Sequence, residues 1–560
     1  MESTSTQSRK WYQVFTGSRG RNLREYITAY LMIAPSITLI FLFGIFPVVF
    51  ALYVSLHKWR IKRGDFIGIQ NYIKAVDNLA YVAMFALGIG ALFGAYFLFR
   101  RILANAREHQ ERPWLLAIPG AIYTATVVTL VNWLFRQLPE ILDIGEKVVG
   151  VVKTRSLFIQ LLGDAFRAES VRPAAHWLLS SLLAAIVVGV IAHRLWPISR
   201  NLTYQSDFGL AILSFVAGVL LLLATFTVIV QAYEAAVESG EDPGIVVQLI
   251  TIVVGILFLY FGWKLWKSSE AQVKNSAFFL RIFGALVLMT GAVLLIMYVP
   301  MAGASGDKDM WLGLKVTAMY SIGTVPFQLA ISMFFAILLF QKLRGSEFFR
   351  ILFFLPYITP AVASAAVFRQ MFSNRLQAPV NAILKMFGVE AQQWLREPDG
   401  IFHMIADSIG VTLPDWAGGP SMALVVIIIY SIWTFVGYDI VIYLAGLGNI
   451  PTEAVEAAEI DGASKWQIFR HITFPLLSPT TYFLSLISII GTFKAFNHIW
   501  VMRLGEALGT TDTFSVVIFS EFFEKYRFGY SSALAFVLFA IILILTYVNN
   551  QIQGSRVFYG

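Results

Sequence analysis

Residues 421–446 read SMALVVIIIYSIWTFVGYDIVIYLAG and contain a single charged side chain, that of Asp439. About 20 consecutive apolar residues are enough for a helix to cross the hydrocarbon core of a bilayer. A helix in lipid satisfies its own backbone hydrogen bonds, whereas an isolated extended segment leaves them unpaired. The stretch therefore predicts a membrane-spanning helix, and it sets the environment in which the rest of the chain must fold.

The composition of the whole chain agrees with a membrane environment. Hydrophobic residues occupy 58% of its 560 positions, the mean hydropathy is +0.70, and only 14% of residues are charged. Soluble domains average about 25% charged residues. The net charge of +8 comes from Lys and Arg spread through short loops, which argues against a nucleic-acid-binding face. The absence of cysteine excludes disulfides and thiolate metal sites.

Twelve apolar runs are long enough to span a bilayer, and they predict an all-α integral membrane protein with about 12 transmembrane helices. The first run is too long for the apolar part of a signal peptide and has no small-residue cleavage pattern. We therefore interpret it as a spanning helix that follows a basic segment, residues 1–29. The runs cover approximately residues 30–56, 80–99, 114–135, 176–195, 208–233, 244–263, 278–299, 313–340, 350–371, 421–446, 475–501 and 530–549.

The loop charges predict the orientation, because cytoplasmic loops are enriched in Lys and Arg. With the N-terminus inside, four inner loops carry clusters of bases, whereas the outer loop 234–243 has four acids and no base. Two outer segments disagree: 57–79 is basic, and 136–175 mixes both signs. Segments 136–175 and 373–420 are each long enough for a short surface helix. The pattern predicts a multi-pass protein of a bacterial-type cytoplasmic (inner) membrane, with both termini cytoplasmic.

One inner loop differs from the others, because it predicts two short helices joined by a turn. Residues 450–475 read IPTEAVEAAEIDGASKWQIFRHITFP. Thr452 is placed to cap the first helix, and Glu453 and Glu456 are expected in its first turn, where acids are favourable. Gly462 is expected to end that helix in a left-handed conformation. Ser464 and Gln467 have capping-box spacing for the second helix, and Pro475 marks entry into the next span.

The Glu-Ala-Ala sequence, followed at fixed distances by Gly, Ile and Pro, resembles the EAA loop of binding-protein-dependent ABC importer permeases. Phe474 stands where that family usually has Leu. The resemblance implies a coupling helix that docks on a separate cytoplasmic ATPase, which would bind ATP and Mg. A plain amphipathic loop is the alternative reading of the same residues. The expected coupling residues are Glu456, Ala457, Ala458, Asp461, Gly462, Ile472 and Pro475.

The flanking segments resemble the carbohydrate, maltose-type branch of these permeases over about residues 30–78 and 313–555. The branch implies transport of a sugar or oligosaccharide, a second permease subunit (a heterodimer rather than a homodimer) and an extracytoplasmic solute-binding protein. The similar segments are Ala34-Pro35 with Phe46-Pro47, 66–72 (FIGIQNY), Phe349-Arg350, 355–360 (LPYITP), 444–447 (LAGL), Ile450-Pro451 and 492–500 (TFKAFNHIW).

The resemblance also implies a domain organisation. A six-helix type I importer core would be interrupted by six extra spans, and an even number of spans leaves the orientation of the core unchanged. The predicted divisions are residues 1–29, the cytoplasmic basic N-terminus; 30–79, the first core helix and outer segment; 80–299, the inserted membrane region; and 300–560, the remaining five core helices with the EAA loop at 451–475.

Polar and aromatic side chains within the spans suggest a substrate pathway, because buried polar groups in a membrane are costly and tend to mark pathways. Hydrogen bonding between packed helices explains the same residue types without a substrate. His498 is expected to be structural, and Asp439 and Lys494 are expected at different depths, with Asp439 close to the inner interface. The candidate pathway residues are Trp433, Thr434, Tyr438, Ser488, Thr492 and Asn497.

Other functions remain as alternatives. The chain has no Gly-x4-Gly-Lys-[Ser/Thr] sequence, so we expect no ATP hydrolysis by this subunit, and no residue cluster suggests a catalytic or metal site. A self-sufficient 12-helix secondary transporter would usually show two related halves and a charged relay at mid-membrane, neither of which is evident. A membrane scaffold or sensor built on residues 80–299 is the third possibility.

Overall fold

The computed structural model describes residues 18–553, except 153, 196–200, 241–244, 271–282, 342–343, 415–416 and most of 283–305. Within this part the chain forms helices, together with two isolated β-bridges. The described residues form two compact units. Those within 1–75 and 306–560 make up one, here called the core unit, and those within 76–305 make up the other, here called the inserted unit.

Helices α1 to α3 begin the core unit, and α4 to α9 make up the described part of the inserted unit. A π-helical turn at Phe41–Ile45 joins α1 to α2. The bounds are α1 Ser18–Ile40, α2 Phe46–Ser55, α3 Gln70–Val76, α4 Leu79–Glu108, α5 Ala117–Lys147, α6 Arg155–Phe166, α7 Arg172–Leu195, α8 Asn201–Ser239 and α9 Ile245–Glu270.

The remaining helices complete the core unit. A π-helical turn lies within α17, at Phe469–Thr473. The bounds are α10 Lys308–Phe340, α11 Ser346–Ile358, α12 Ala361–Met371, α13 Pro379–Met386, α14 Ile401–Ser408, α15 Met422–Gly448, α16 Thr452–Ile460, α17 Lys465–Leu476, α18 Ser478–Phe493, α19 Asn497–Met502, α20 Phe514–Phe519 and α21 Phe528–Gln553.

The all-α membrane fold predicted from the sequence is confirmed. The described residues include nine helices that are long and apolar enough to span a membrane, and two further helix pairs that pass the same test but are bent. Large apolar side chains lie exposed along these helices, as lipid-facing surfaces require. The predicted span 278–299 lies mostly outside the described residues.

Two predicted spans are not continuous helices. The run at 350–371 is bent by 94° between α11 and α12, because Pro360 lacks a backbone N–H and disfavours helical geometry at Thr359. The run at 475–501 ends its long helix at Phe493 and continues as the short helix α19. At these two places the structure divides the predicted spanning helix into two helices.

The core unit is organised around α10, α15 and α18. Tyr320 is hydrogen-bonded to Ser431, and Gln328 is hydrogen-bonded to Asp439. Residue numbers increase in the same direction along both helices, so α10 and α15 are parallel. Ser321 pairs with Thr492, whereas Gln328 lies beside Ser488, so α18 is antiparallel to α10. The connection between α15 and α18 therefore lies at one end of the core unit, here called the elbow end.

Close helix packing characterises the inserted unit. A Cβ atom added to Gly120 in α5 would lie 2.8 Å from the backbone nitrogen of Gly209 in α8. The hydroxyl of Thr124 donates to the carbonyl oxygen of Gly209 at 2.9 Å. Small residues that allow such an approach, with a hydroxyl bonding across the contact, are typical of helix pairs in membranes.

The two long segments between spans contain short helices. In segment 136–175, α5 continues to Lys147, and α6 follows with Thr154 as its N-cap, whose side chain accepts from the Leu157 amide. In segment 373–420 the described residues form α13 and α14. The second segment precedes α15, so it lies at the end of the core unit opposite the elbow end.

Candidate functional site

The elbow, residues 449–475, contains the first helix and turn expected from the sequence. Helix α16 ends at Ile460 with Asp461 as its C-cap, and Gly462 has a φ of +79°. The amide of Ala463 donates to the Ala458 carbonyl, and the amide of Gly462 donates to the Glu459 carbonyl. This pair of bonds is the Schellman arrangement, which satisfies carbonyl groups that the helix end leaves without partners.

The caps of the two elbow helices differ in how well they were predicted. The capping box of Ser464 and Gln467 is present: Gln467 Oε1 accepts from the Ser464 amide at 2.7 Å, and Ser464 Oγ accepts from the Gln467 amide. Thr452 does not cap α16, because Pro451 occupies the N-cap position and Thr452 is already helical. Glu453 lies in the first turn, but Glu456 lies beyond it, so that placement of Glu456 was also wrong.

Buried apolar side chains attach the elbow to the core unit, and the rest of its surface is largely exposed. Ile468 and Leu477 are buried, and Leu477 packs with Leu447 in an apolar cluster of the core unit. Glu456, Ala457, Asp461 and Gly462 are exposed, whereas Ala458, Ile472 and Pro475 are half-buried.

The elbow also exposes two large apolar side chains that the sequence interpretation did not single out. Ile460 is 87% exposed and Trp466 is 64% exposed. Apolar side chains this exposed at a helical turn are typical of a surface that another protein covers. No signal in the sequence marked them, because only the fold shows which apolar side chains of the elbow remain exposed.

A cavity of about 350 Å³ lies within the core unit, enclosed by α10, α11, α15, α18 and the start of α19. Four of the six predicted pathway residues line it: Tyr438, Ser488, Thr492 and Asn497. The structure does not bring the other two to this cavity. Thr434 is buried and donates to the Tyr430 carbonyl at 2.9 Å, and Trp433 lines a separate apolar groove.

The polar centre of the cavity is an amide–carboxylate pair. Asp439 is 1% exposed, and its Oδ2 accepts from Gln328 Nε2 at 2.6 Å. Gln328 Nε2 also lies 3.4 Å from Ser488 Oγ. Asp439 is thus buried among the core helices. Its position close to the inner interface stays a prediction from the sequence. Lys494 lines the same cavity but forms no ion pair with Asp439.

One polar group in the cavity has no protein partner. Thr324 is 1% exposed, and its Oγ1 forms no hydrogen bond within the described residues. A buried hydroxyl without a partner costs free energy, about 1–3 kcal/mol, unless a ligand or water pairs with it. Thr324 and Gln328 were missed by the sequence interpretation, because α10 reads as an ordinary spanning helix.

Aromatic rings form one wall of the cavity. The rings of Tyr357 and Tyr438 stack with centroids 4.9 Å apart, and Phe435 lies edge-on to Tyr357. At the other side His498 is buried, with its Nε2 2.9 Å from the Tyr320 hydroxyl and 3.3 Å from the Ser431 hydroxyl. These bonds hold α10, α15 and α19 together, which gives His498 a structural role alongside its position on the cavity.

Comparisons with known proteins place the chain in a family. The family model described as "Binding-protein-dependent transport system inner membrane component" matches residues 328–557. The probable ABC transporter permease protein YesP of Bacillus subtilis is 33% identical over 258 residues, which cover 46% of this chain and 76% of YesP. The arabinooligosaccharides transport system permease protein AraP of Halalkalibacterium halodurans is 31% identical over 251 residues, which cover 44% of this chain and 72% of AraP.

Among solved structures, a bacterial alginate ABC transporter in complex with an alginate pentasaccharide-bound periplasmic protein matches with a TM-score of 0.38. It is 21% identical to this chain, and the match covers 48% of this chain and 93% of that chain.

The helical membrane fold and the match to these relatives define a transport permease, a membrane subunit of a transporter. The chain belongs to the binding-protein-dependent transport inner membrane components, the permease subunits of ABC importers. The expected resemblance to these permeases is therefore confirmed. The family model begins in α10, so residues 76–305 lie outside the matched region.

Proposed function

We propose that this subunit forms part of the translocation pathway for a sugar or an oligosaccharide. The observation that carries the proposal is the cavity, which combines stacked aromatic rings with a hydroxyl, an amide and a carboxylate. Sugars present apolar ring faces and many hydroxyl groups, so they suit aromatic walls with a few fixed polar groups. The similarity to a permease named for arabinooligosaccharide transport supports this substrate class.

Coupling to ATP is proposed to pass through the elbow. Cytoplasmic ATPase subunits would bind ATP and Mg and dock on the exposed face that includes Glu456, Ala457, Asp461 and Gly462. The half-buried Ala458, Ile472 and Pro475 would transmit the movement to the core. Ile460 and Trp466 would add apolar contact area, because both are exposed in the isolated chain.

The route from the elbow to the cavity is short. Helix α15 carries Tyr438 and Asp439 and leads directly into the elbow, and α18 carries Ser488 and Thr492 and follows the elbow. Movement of the elbow would therefore shift two cavity walls together. For this to drive alternating access, ATPase binding must favour one permease conformation over the other.

The family also suggests the partners other than the ATPase. We propose that both termini are cytoplasmic, that a second permease completes a heterodimeric pathway, and that an extracytoplasmic solute-binding protein delivers the solute. In this orientation, segment 373–420 faces the outside, because it lies at the end of the core unit opposite the elbow. That segment is the proposed docking region for the solute-binding protein.

Gentle affinity purification of the chain from its native membrane tests the proposal. We expect an ATPase and a second permease to copurify, and we expect the ATPase alone to be lost when Glu456 and Gly462 are both substituted. Replacement of Glu390 and Asp407, exposed residues far from the elbow, is the control and should keep the ATPase. A lone chain that moves solute into liposomes without ATP would overturn the proposal in favour of a secondary transporter.

A further inference from the structure

A cationic pocket lies at the end of the core unit opposite the elbow. It is a cavity of about 380 Å³ between the segment that follows α2, helix α3 and the start of α21. Its lining includes four cations and no carboxylate: Lys58, Arg60, Lys74 and Arg527. Trp59 and Tyr530 supply aromatic surface. Tyr482 lies near the start of α18, at the elbow end, and its hydroxyl donates to Asn550 Oδ1 at 2.8 Å. The C-terminal part of α21 therefore lies at the elbow end, and the start of α21, which lines the pocket, lies at the opposite end.

The walls of the cationic pocket are held by buried hydrogen bonds. Asn71 Nδ2 donates to the carbonyl oxygens of Ser55, at 2.8 Å, and His57, at 3.1 Å. The amide of Gly529 donates to the Trp59 carbonyl at 3.0 Å. A Cβ at Gly529 would overlap the His57 carbonyl oxygen, so the approach of α21 to this segment requires glycine. The pocket is therefore preformed by the fold of the core unit.

Three of the four cations lack an anionic partner. Within the part of the chain that the structure describes, Lys58, Arg60 and Lys74 form no ion pair, whereas Arg527 lies 3.4 Å from Glu521. Lys74 Nζ lies 4.3 Å from the centre of the Tyr530 ring. Lys58, Arg60 and Lys74 are exposed, and cations gathered around one cleft attract counter-ions and repel one another when no anion is bound. The pocket is thus built to hold an anion.

The depth of the pocket identifies the source of that anion. The candidate spans Glu25–Ser55 and Phe528–Gln551 each have one terminus at the pocket, and the termini of a helix that crosses a bilayer are expected near the lipid headgroups. Trp and Tyr side chains are enriched at that level. Leu52 and Val49, one and two turns before the end of α2, are 42% and 43% exposed and offer an apolar surface beside the pocket. An occupant with an anionic head and an apolar tail satisfies both features.

We propose that the cationic pocket binds the phosphate-bearing headgroup of an anionic phospholipid, whose acyl chains lie along the exposed face of α1 and α2. Lys and Arg donate charge-assisted hydrogen bonds to phosphate oxygens, and basic pockets between membrane helices suit such headgroups. The site explains why residues 57–79 are basic although their predicted side of the membrane disfavours bases. It requires neither the ATPase nor the transported solute, so it stands apart from the proposed function.

The test uses the purified full-length chain in neutral detergent. Native mass spectrometry counts retained phosphatidylglycerol or phosphatidylcholine, and thermal unfolding measures stabilisation by each lipid. The variant K58Q/R60Q/K74Q removes the three unpaired charges. The charge-matched control K62Q/R375Q/K385Q removes three exposed cations that do not line the pocket. The single variants K58Q and K74Q replace the triple variant should it not fold.

We expect the wild type and the control to retain phosphatidylglycerol in preference to phosphatidylcholine and to unfold at a higher temperature in its presence. The triple variant should bind it roughly a hundredfold more weakly, since each surface cation contributes about fivefold. Equal retention by variant and control would overturn the proposal. So would equal protection by inorganic phosphate, which indicates a small-anion site, or displacement of the lipid by polyglutamate, which indicates an acidic protein surface.

Discussion

The elbow and the cavity belong to the same unit but are built in opposite ways. In the elbow every stabilising hydrogen bond joins residues within five positions of each other, as in the Gly462 turn and the Ser464 capping box. In the cavity the central bond joins Gln328 to Asp439, from two different spans. The elbow is therefore a local structure mounted on the core, whereas the cavity exists only when the core helices pack. Substitutions should separate the two.

The largest effect is expected at the packing of the core. A Cβ at Gly437 would overlap the backbone carbonyl oxygen of Phe353, so α11 and α15 must move apart in Gly437→Ala. Overpacking of this kind costs about 1–3 kcal/mol or more, because backbone atoms cannot yield as a side chain can. We expect a clearly lower unfolding temperature in detergent together with loss of transport. Gly448→Ala, where an added Cβ meets nothing within 4 Å, should leave both unchanged.

The next effect should abolish coupling while the core stays folded. Gly462→Pro removes the amide that closes the helix end and excludes the left-handed conformation. Because the left-handed conformation costs ordinary residues roughly 1–2 kcal/mol and proline cannot adopt it at all, the turn must rearrange, and we expect ATP-driven uptake to fall at least about tenfold. The unfolding temperature should change little, since the elbow is exposed.

Gly462→Asn is the matched control for the elbow, because Asn adopts the left-handed conformation readily. It should retain most uptake in reconstituted vesicles. Normal uptake by Gly462→Pro would remove the elbow from the proposed mechanism and leave the plain-loop interpretation.

A smaller effect should distinguish structure from transport at the cavity. Asp439→Ala leaves Gln328 Nε2 without its short hydrogen bond, which costs about 1–3 kcal/mol of stability in a buried site. Replacing both residues by Leu removes the unpaired group, so most of that stability should return. Uptake should remain lost in the double variant, since the polar centre is gone. Recovery of uptake with stability would show that the pair only supports the fold.

The smallest effect concerns two neighbouring positions of α15 that the sequence treated alike. Tyr438→Ala removes one ring of the stacked wall and should raise the solute concentration for half-maximal uptake by about fivefold, or roughly 1 kcal/mol. Thr434→Val removes a hydroxyl that bonds only within its own helix, so this concentration should stay unchanged. The reverse ranking would place the substrate one helical turn further from the elbow, beside Thr434.

The sequence by itself determined the membrane class, most of the spans and the elbow. Each of these signals is contained in a short stretch of chain. The length and composition of an apolar run predict a membrane span, and a glycine or a capping box forms hydrogen bonds with groups only a few positions away. The errors at Thr452 and Glu456 were shifts within such a stretch, caused by Pro451 taking the cap position.

Only the tertiary structure decided which residues share a site. Every face of a spanning helix is apolar enough for lipid, so hydrophobic periodicity does not report its rotation. Thr434 and Tyr438 lie one turn apart on the same face of α15, and only the packing of the other helices shows that the cavity reaches Tyr438 and not Thr434. Gln328 and Thr324 face the cavity from a helix more than a hundred positions away from Asp439. The cationic pocket likewise joins Lys58 to Arg527 across almost the whole chain. Such sites depend on the rotation and depth at which helices pack, and these are set by contacts between helices rather than by any one segment.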